Sequence, residues 1–260
     1  KAHSIAGDYY FKVNQVVEAV NAYKAALKCD PNVYPIWNQV LALEYQYQQF
    51  DSILVDGEKC ISFFPTQPIP YFIYGSALNQ KKQYQKALTT LETGVEFVLK
   101  DPDLTAEFSG QIGEANFGLN KQKEAQEAYE KALGLAPQNT FVKSNYAYRL
   151  ALHELDLKKA EKLVDEVLAI YPNEARYLDT KGVILFQQAK YQEAKSYVER
   201  ACGQAESNDK LCVEHLGDIL FMLGRKDEAL AYWLRAKELG SENKVLDQKI
   251  IQKNYAKPIF

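Results

Sequence analysis

Cysteine, histidine and methionine are scarce in this 260-residue chain, at four, three and one. Cys29, Cys60, Cys202 and Cys212 form no CxxC pair, and His3, His153 and His215 stand far from most of them, so the spacing of a metal site is missing. No metal and no cofactor is expected. A buried free thiol is the ordinary state of such cysteines; Cys202 and Cys212 flank one loop, but loop separation alone does not satisfy disulfide geometry. No stretch approaches the roughly 18 apolar residues of a membrane-spanning helix. Charge of one sign is lacking too. The 31 basic and 34 acidic residues are interspersed, and a net charge of -3 gives no field suited to a phosphate backbone, so nucleic acid is not expected as a partner. The 13 glycines are scattered and form no phosphate-cradling GxGxxG or Walker A loop. With no nucleophile beside a base and no carboxylate pair in one cleft, no catalytic residue is assigned and no enzyme is expected. A start at Lys1-Ala2-His3 is expected of a processed chain or an excised segment, which leaves the compartment open between cytoplasm and periplasm or envelope.

What is present is a repeated pattern. In residues 106–139, Phe108, Ile112, Ala115 and Leu119 fall at three- and four-residue spacings, as do Ala125, Ala128, Tyr129, Ala132 and Leu133. That periodicity predicts two amphipathic helices, with a turn at Asn120 to Gln122. Gly113 and Ala125 lack bulk where the two helices cross, and Tyr129 supplies the large apolar contact beyond the crossing. Pro137 ends the second helix. Hydrophobic residues make up 47% of the chain, ample for a continuous core, but one helix pair cannot bury its own apolar face and depends on its neighbours.

This combination of a small residue, a second-helix alanine, an aromatic, another alanine and a closing proline resembles the tetratricopeptide repeat (TPR), whose period is about 34 residues. The same columns return as Gly7, Tyr10, Ala19, Tyr23, Ala26 and Pro31, as Gly182, Ala194, Val198 and Ala201, and as Gly217, Ala229, Trp233 and Ala236. Three copies are eroded. Residues 34–67 keep Trp37 and Pro65 but place Ile53, Gly57 and Cys60 in the second helix; residues 68–105 carry Gly94 and extra residues around Lys100 to Asp103; residues 140–174 hold one inserted residue near His153 to Asp156. The resemblance implies an all-α, right-handed α-solenoid of about seven TPR hairpins at 1–33, 34–67, 68–105, 106–139, 140–174, 175–209 and 210–243, with 244–260 as a capping helix and tail. It also suggests a bacterial protein. The stretch Leu99 to Thr105 is expected to lengthen a loop, and Pro65, Pro68 and Pro70 to stiffen a connection. The first hairpin lacks a polar cap, so further repeats upstream are expected.

TPR arrays are adaptors whose first helices line a groove for a partner peptide or helix. Carried onto this register, Asn38, Asn79 and Asn145 would hydrogen-bond an extended backbone, Phe72, Phe141 and Tyr148 would offer apolar area, and Tyr45 and Arg176 are further groove-facing candidates. The plainer readings are solvated helix residues and packing against the next repeat. The clamp that chaperone-binding TPRs use for a C-terminal carboxylate is absent, since its positions hold Ser4, Asp8, Gln39, Ile69 and Ile73. Glu107, Glu114, Asp179, Glu214 and Asp218 make the expected ligand a neutral or basic protein or peptide. The alternatives are a scaffold that works through its convex face and the recognition segment of a larger protein. In 244–253, Val245, Leu246 and Ile250 are expected to cover the flank of Trp233 while the lysines face water. The tail, Lys253 to Phe260, carries two lysines and ends in Pro258-Ile259-Phe260; disorder is its ordinary state, and the sharper alternative is that it occupies the chain's own or a second copy's groove, a route to self-association.

Overall fold

The computed structural model describes residues 2–203, 209–241 and 243–257, so Pro258-Ile259-Phe260 of the tail lie outside the described residues. The described chain forms two compact units, residues 1–137 and 138–260. Unit 1 holds four helical hairpins: α1 (Ala2–Lys12) with α2 (Val16–Cys29), α3 (Tyr34–Gln46) with α4 (Phe50–Phe63), α5 (Pro68–Gln80) with α6 (Tyr84–Val95), and α7 (Pro102–Gly118) with α8 (Gln122–Leu135). Unit 2 holds three, α9 (Thr140–Leu152) with α10 (Leu157–Leu168), α11 (Ala175–Gln187) with α12 (Tyr191–Cys202) and α13 (Lys210–Met222) with α14 (Lys226–Glu238), followed by α15 (Lys244–Gln252). Each unit is a stack of antiparallel helix pairs, and among the described residues every regular element is a helix.

Every second helix buries residues at the same three positions. Ala19, Tyr23 and Ala26 in α2 are matched by Ile53, Gly57 and Cys60 in α4, Ala87, Leu91 and Gly94 in α6, and Ala125, Tyr129 and Ala132 in α8. Unit 2 continues with Ala160, Val164 and Val167, then Ala194, Val198 and Ala201, then Ala229, Trp233 and Ala236. The small member lets the backbones approach, and the larger one fills the space left by a first-helix glycine: a Cβ on Gly113 would lie 2.5 Å from the Tyr129 ring, and one on Gly217 would lie 2.5 Å from Trp233. The eroded repeats obey the same packing with the bulk moved across. Gly57 receives Tyr74 from α5, and Gly94 receives Tyr71 and Phe108.

The turn inside each hairpin is made by one left-handed residue. Asn14, Gln48, Lys82, Asn120, Glu154, Ala189 and Gly224 all have positive φ, at intervals of 34, 34, 38, 34, 35 and 35 residues. Most of that 38-residue interval is not spent as loop. Asp101 caps α7 by accepting from the Leu104 N–H, and Pro102 supplies the first helical residue, so the insertion lengthens α7 to 17 residues rather than the connection alone. Pro68 and Pro70 likewise lie in the first turn of α5, where proline's missing N–H costs nothing, and the stiffness expected of a linker is spent starting a helix. Trp37 and Tyr71 fasten each repeat to the previous one by donating to the Pro31 and Pro65 carbonyls at 2.8 and 2.9 Å. Cys202, at the end of α12, and Cys212, in α13, are disulfide-bonded with Cα atoms 6.0 Å apart, because consecutive hairpins set those two helix ends side by side. The free thiols are therefore Cys29 and Cys60, the latter buried.

Candidate protein-interaction surface

In unit 1 the first helices α1, α3, α5 and α7 carry the predicted positions. Tyr45, Phe72 and Phe108 form a row of rings across α3, α5 and α7, with centroids 6.2 and 5.4 Å apart. Phe72 is buried in that row, because α5 packs against α3, α4, α6 and α7 and is apolar almost all round. Asn79 is buried as well; its amide donates to the Gln111 carbonyl at 2.9 Å and to Gln111 Oε1 at 3.0 Å, joining α5 to α7. Asn38, Tyr45 and Glu114 stay half-buried, and the Tyr129 hydroxyl donates to Glu114 at 3.4 Å. Behind this face, Lys24 of α2 lies 2.6 Å from both Glu44 of α3 and Asp56 of α4. Burial pushes the Glu44 carboxyl up, Lys24 pulls it down, and Asp56 pushes it up again, leaving it at about 7.

In unit 2 the predicted positions join into a ladder that runs from one first helix to the next. The Arg176 guanidinium on α11 donates to Asn145 Oδ1 on α9 at 2.8 Å and lies over the Phe141 ring. His215 Nδ1 on α13 is 3.0 Å from both oxygens of Asp179 on α11, and its ring faces Tyr148 at 6.3 Å. Burial works against a charged imidazole, but the charge and hydrogen bond of Asp179, with Asp218 and Glu214 near, hold the His215 pKa above its ordinary value. Burial likewise pushes the Asp218 carboxyl up in spite of Lys249. Among the described residues no cluster of three or more His, Cys, Asp or Glu is arranged to hold a metal ion, and no helix is long and apolar enough to cross a membrane.

Lys249 is where sequence reasoning and structure part. Expected to face water on α15, it is fully buried, and its ammonium donates to Glu214 at 2.9 Å and Asp218 at 2.7 Å. Asn243 adds a bond to Glu214, and the Trp233 indole donates to Asp218 at 2.9 Å. Two carboxylates expected to attract a basic ligand are thus already paired with the chain's own lysine. Val245 and Leu246 are buried, Leu246 in one core with Trp233, as a capping helix requires. Beyond α15, Tyr255 packs on Phe186 of α11 at 5.8 Å and Lys257 lies 2.6 Å from Glu154. Gln111, His215 and Lys249, partners not found from sequence, lie 32, 36 and 35 residues beyond Asn79, Asp179 and Glu214, and Arg176, a groove candidate whose pairing is not evident from sequence, lies 31 beyond Asn145. The repeat period itself was the signal that would have paired them.

Comparison with known proteins agrees with this architecture. Residues 79–212 match the family described as the cytochrome c-type biogenesis protein H TPR domain. The Hsp70-Hsp90 organizing protein of Triticum aestivum is 29% identical over 133 residues, 49% of this chain and 22% of that protein. Protein O-mannosyl-transferase TMTC3 of Homo sapiens is 22% identical over 100% of this chain and 29% of its own length. The chain therefore spans less than a third of these relatives. Among solved structures, a tetratricopeptide repeat protein from Parabacteroides merdae superimposes with a TM-score of 0.76 at 14% identity, covering 97% of each chain, which is a likeness of fold. Arrays of this kind are protein-interaction adaptors, generally without enzymatic activity of their own. The hairpins, their second-helix packing columns and the match across half of its length show that the chain belongs to the tetratricopeptide-repeat family, within the group described as the cytochrome c-type biogenesis protein H TPR domain.

Proposed function

We propose that the chain is an adaptor that holds a peptide or helix of a protein partner against its first-helix face. The observation that carries this reading is the division of the candidate positions. In unit 1, Asn38, Tyr45 and Glu114 stay half-exposed on α3 and α7, with Glu114 accepting from Tyr129, whereas in unit 2 the carboxylates of Glu214 and Asp218 are buried and held by Lys249. Docking thus falls first to unit 1. A neutral or basic ligand fits, because Asp101 and Asp103 stand near half-buried Glu107 and, after burial itself, their charges raise its carboxyl above the ordinary range. The positions of the chaperone clamp hold other residues, so a C-terminal carboxylate is not the group recognised here. A second reading, that this is the recognition segment of a larger protein, is favoured by the 22% and 29% shares of the relatives that the chain spans.

Affinity capture with the purified chain tests the adaptor reading. A variant with Asn38→Arg and Glu107→Lys is expected to lose the captured protein, while Glu127→Lys, on the exposed face of α8, is expected to retain it. Retention by the first variant and loss by the second would instead assign binding to the outer helices.

A further inference from the structure

The chain does not leave unit 2 after α15. Lys253 adopts a left-handed conformation with φ 48°, which ends the helix, and the residues that follow lie without helical structure against α11 and the turn after α9. Tyr255 is half-buried, with its ring 5.8 Å from Phe186, itself 5.5 Å from Tyr191, and the Lys249 ammonium lies 5.5 Å from the Tyr255 centroid. Lys257 then reaches Glu154, the turn residue after α9, at 2.6 Å. Capping does not require any of this, because the core against Trp233 is completed by Leu246 and Ile250 of α15. What the last residues occupy is an aromatic seat and an acidic seat, on α11 and beside α9.

We propose that these two seats form a binding site for an extended segment of the form aromatic-x-lysine, and that Tyr255-Ala256-Lys257 holds it in cis as an internal competitor. The inference deepens the adaptor reading and rests on it for the natural partner, which would enter by displacing the tail. The seats suit such a ligand chemically. Phe186, with Tyr191 packed behind it, offers its ring to an aromatic side chain, and Glu154 offers a carboxylate to a lysine. The tail is the part that can exchange. Lys249 is buried between two carboxylates and belongs to the fold, whereas the Lys257 and Glu154 side chains are 59% and 44% exposed and their pairing is weak.

The probe is a labelled synthetic peptide of residues 253–260, followed by fluorescence anisotropy against the full chain and against a chain ending at Lys253, which keeps α15. A tethered segment competes at an effective concentration on the order of millimolar, so the shortened chain is expected to bind the peptide at least ~10-fold more tightly than the full chain. Phe186→Ala and Glu154→Lys in the shortened chain are each expected to weaken binding, as is a peptide carrying Tyr255→Ala and Lys257→Glu. Equal affinity for the two chains, no saturable binding to the shortened chain, or indifference to these substitutions would overturn the proposal. Because this probe does not involve the captured partner, failure here with capture still lost in the Asn38→Arg, Glu107→Lys variant would leave the adaptor reading standing.

Discussion

A glycine facing a large ring and a glycine in a left-handed turn are both intolerant of a side chain, for different reasons that can be separated within one hairpin. A Cβ at Gly217 would stand 2.5 Å from Trp233, whose ring is fully buried and tied to Asp218, so the helices must part. Gly217→Ala is expected to cost about 2–3 kcal/mol. At Gly224 nothing lies within 4 Å, and only the φ of +80° opposes a side chain; Gly224→Ala is expected to cost about 1 kcal/mol. Thermal melts of the two variants side by side check the order, and equal losses would mean that the ring contact does not set the crossing. Glu44 gives the corresponding electrostatic case. Its folded pKa of about 7 stands above the ordinary 4.5, so between those values the folded chain keeps a proton that the unfolded chain releases. Stability near α3 is therefore highest at the acidic end of that window and falls as pH rises through it, by on the order of 3 kcal/mol for a fully buried carboxyl. Hydrogen exchange of α2–α4 at pH 5 and pH 7.5 is expected to show this loss of protection, and Glu44→Gln to flatten it; an unchanged slope in the variant would place the proton elsewhere.

At the scale of the helix, the sequence was most legible where one residue type repeats for one geometric reason. The second-helix positions of Ala125, Tyr129 and Ala132 recur because a close crossing needs them, and the inserted residue near His153 to Asp156 lies where expected, between the turn residue Glu154 and α10. Legibility failed where one signal had two uses. The prolines at 68 and 70 and the Asp101-Pro102 pair punctuate loops, yet they start helices equally well, and the hydrogen bond from Leu104 to Asp101 decided the matter. Repeat 2 is eroded only within its own second helix, since the space at Gly57 is filled by Tyr74 from the next hairpin. The interaction face was least legible of all. Asn79, Asn145 and Asp179 stand in the columns read as groove-facing, but a column does not say whether a polar side chain turns to a ligand or to the neighbouring helix, and these three have neighbours at 2.8–3.0 Å. The charge of Lys249 points it to water, and only a buried pair of carboxylates one period earlier reverses that expectation.

Over the whole molecule, a stack of hairpins differs from a single-core body in how far a local defect is felt, since each pair is stabilised by its immediate neighbours. Lys249→Met removes the ammonium between Glu214 and Asp218 while keeping an apolar side chain of similar length, so the loss falls on the ionic contact rather than on packing volume. Leaving two buried carboxylates without that partner is expected to cost about 3–5 kcal/mol, roughly a hundredfold or more in local opening. Hydrogen exchange read along the chain should show protection lost in α13, α14 and α15, a smaller loss in α11 and α12, and none in α1 to α4 of unit 1. The gradient is the informative quantity. A sharp fall that spreads evenly through residues 1–137 as well would mean that both units unfold as one cooperative body, and the account of stability as a sum of neighbouring hairpins would fail, even with every helix boundary correct.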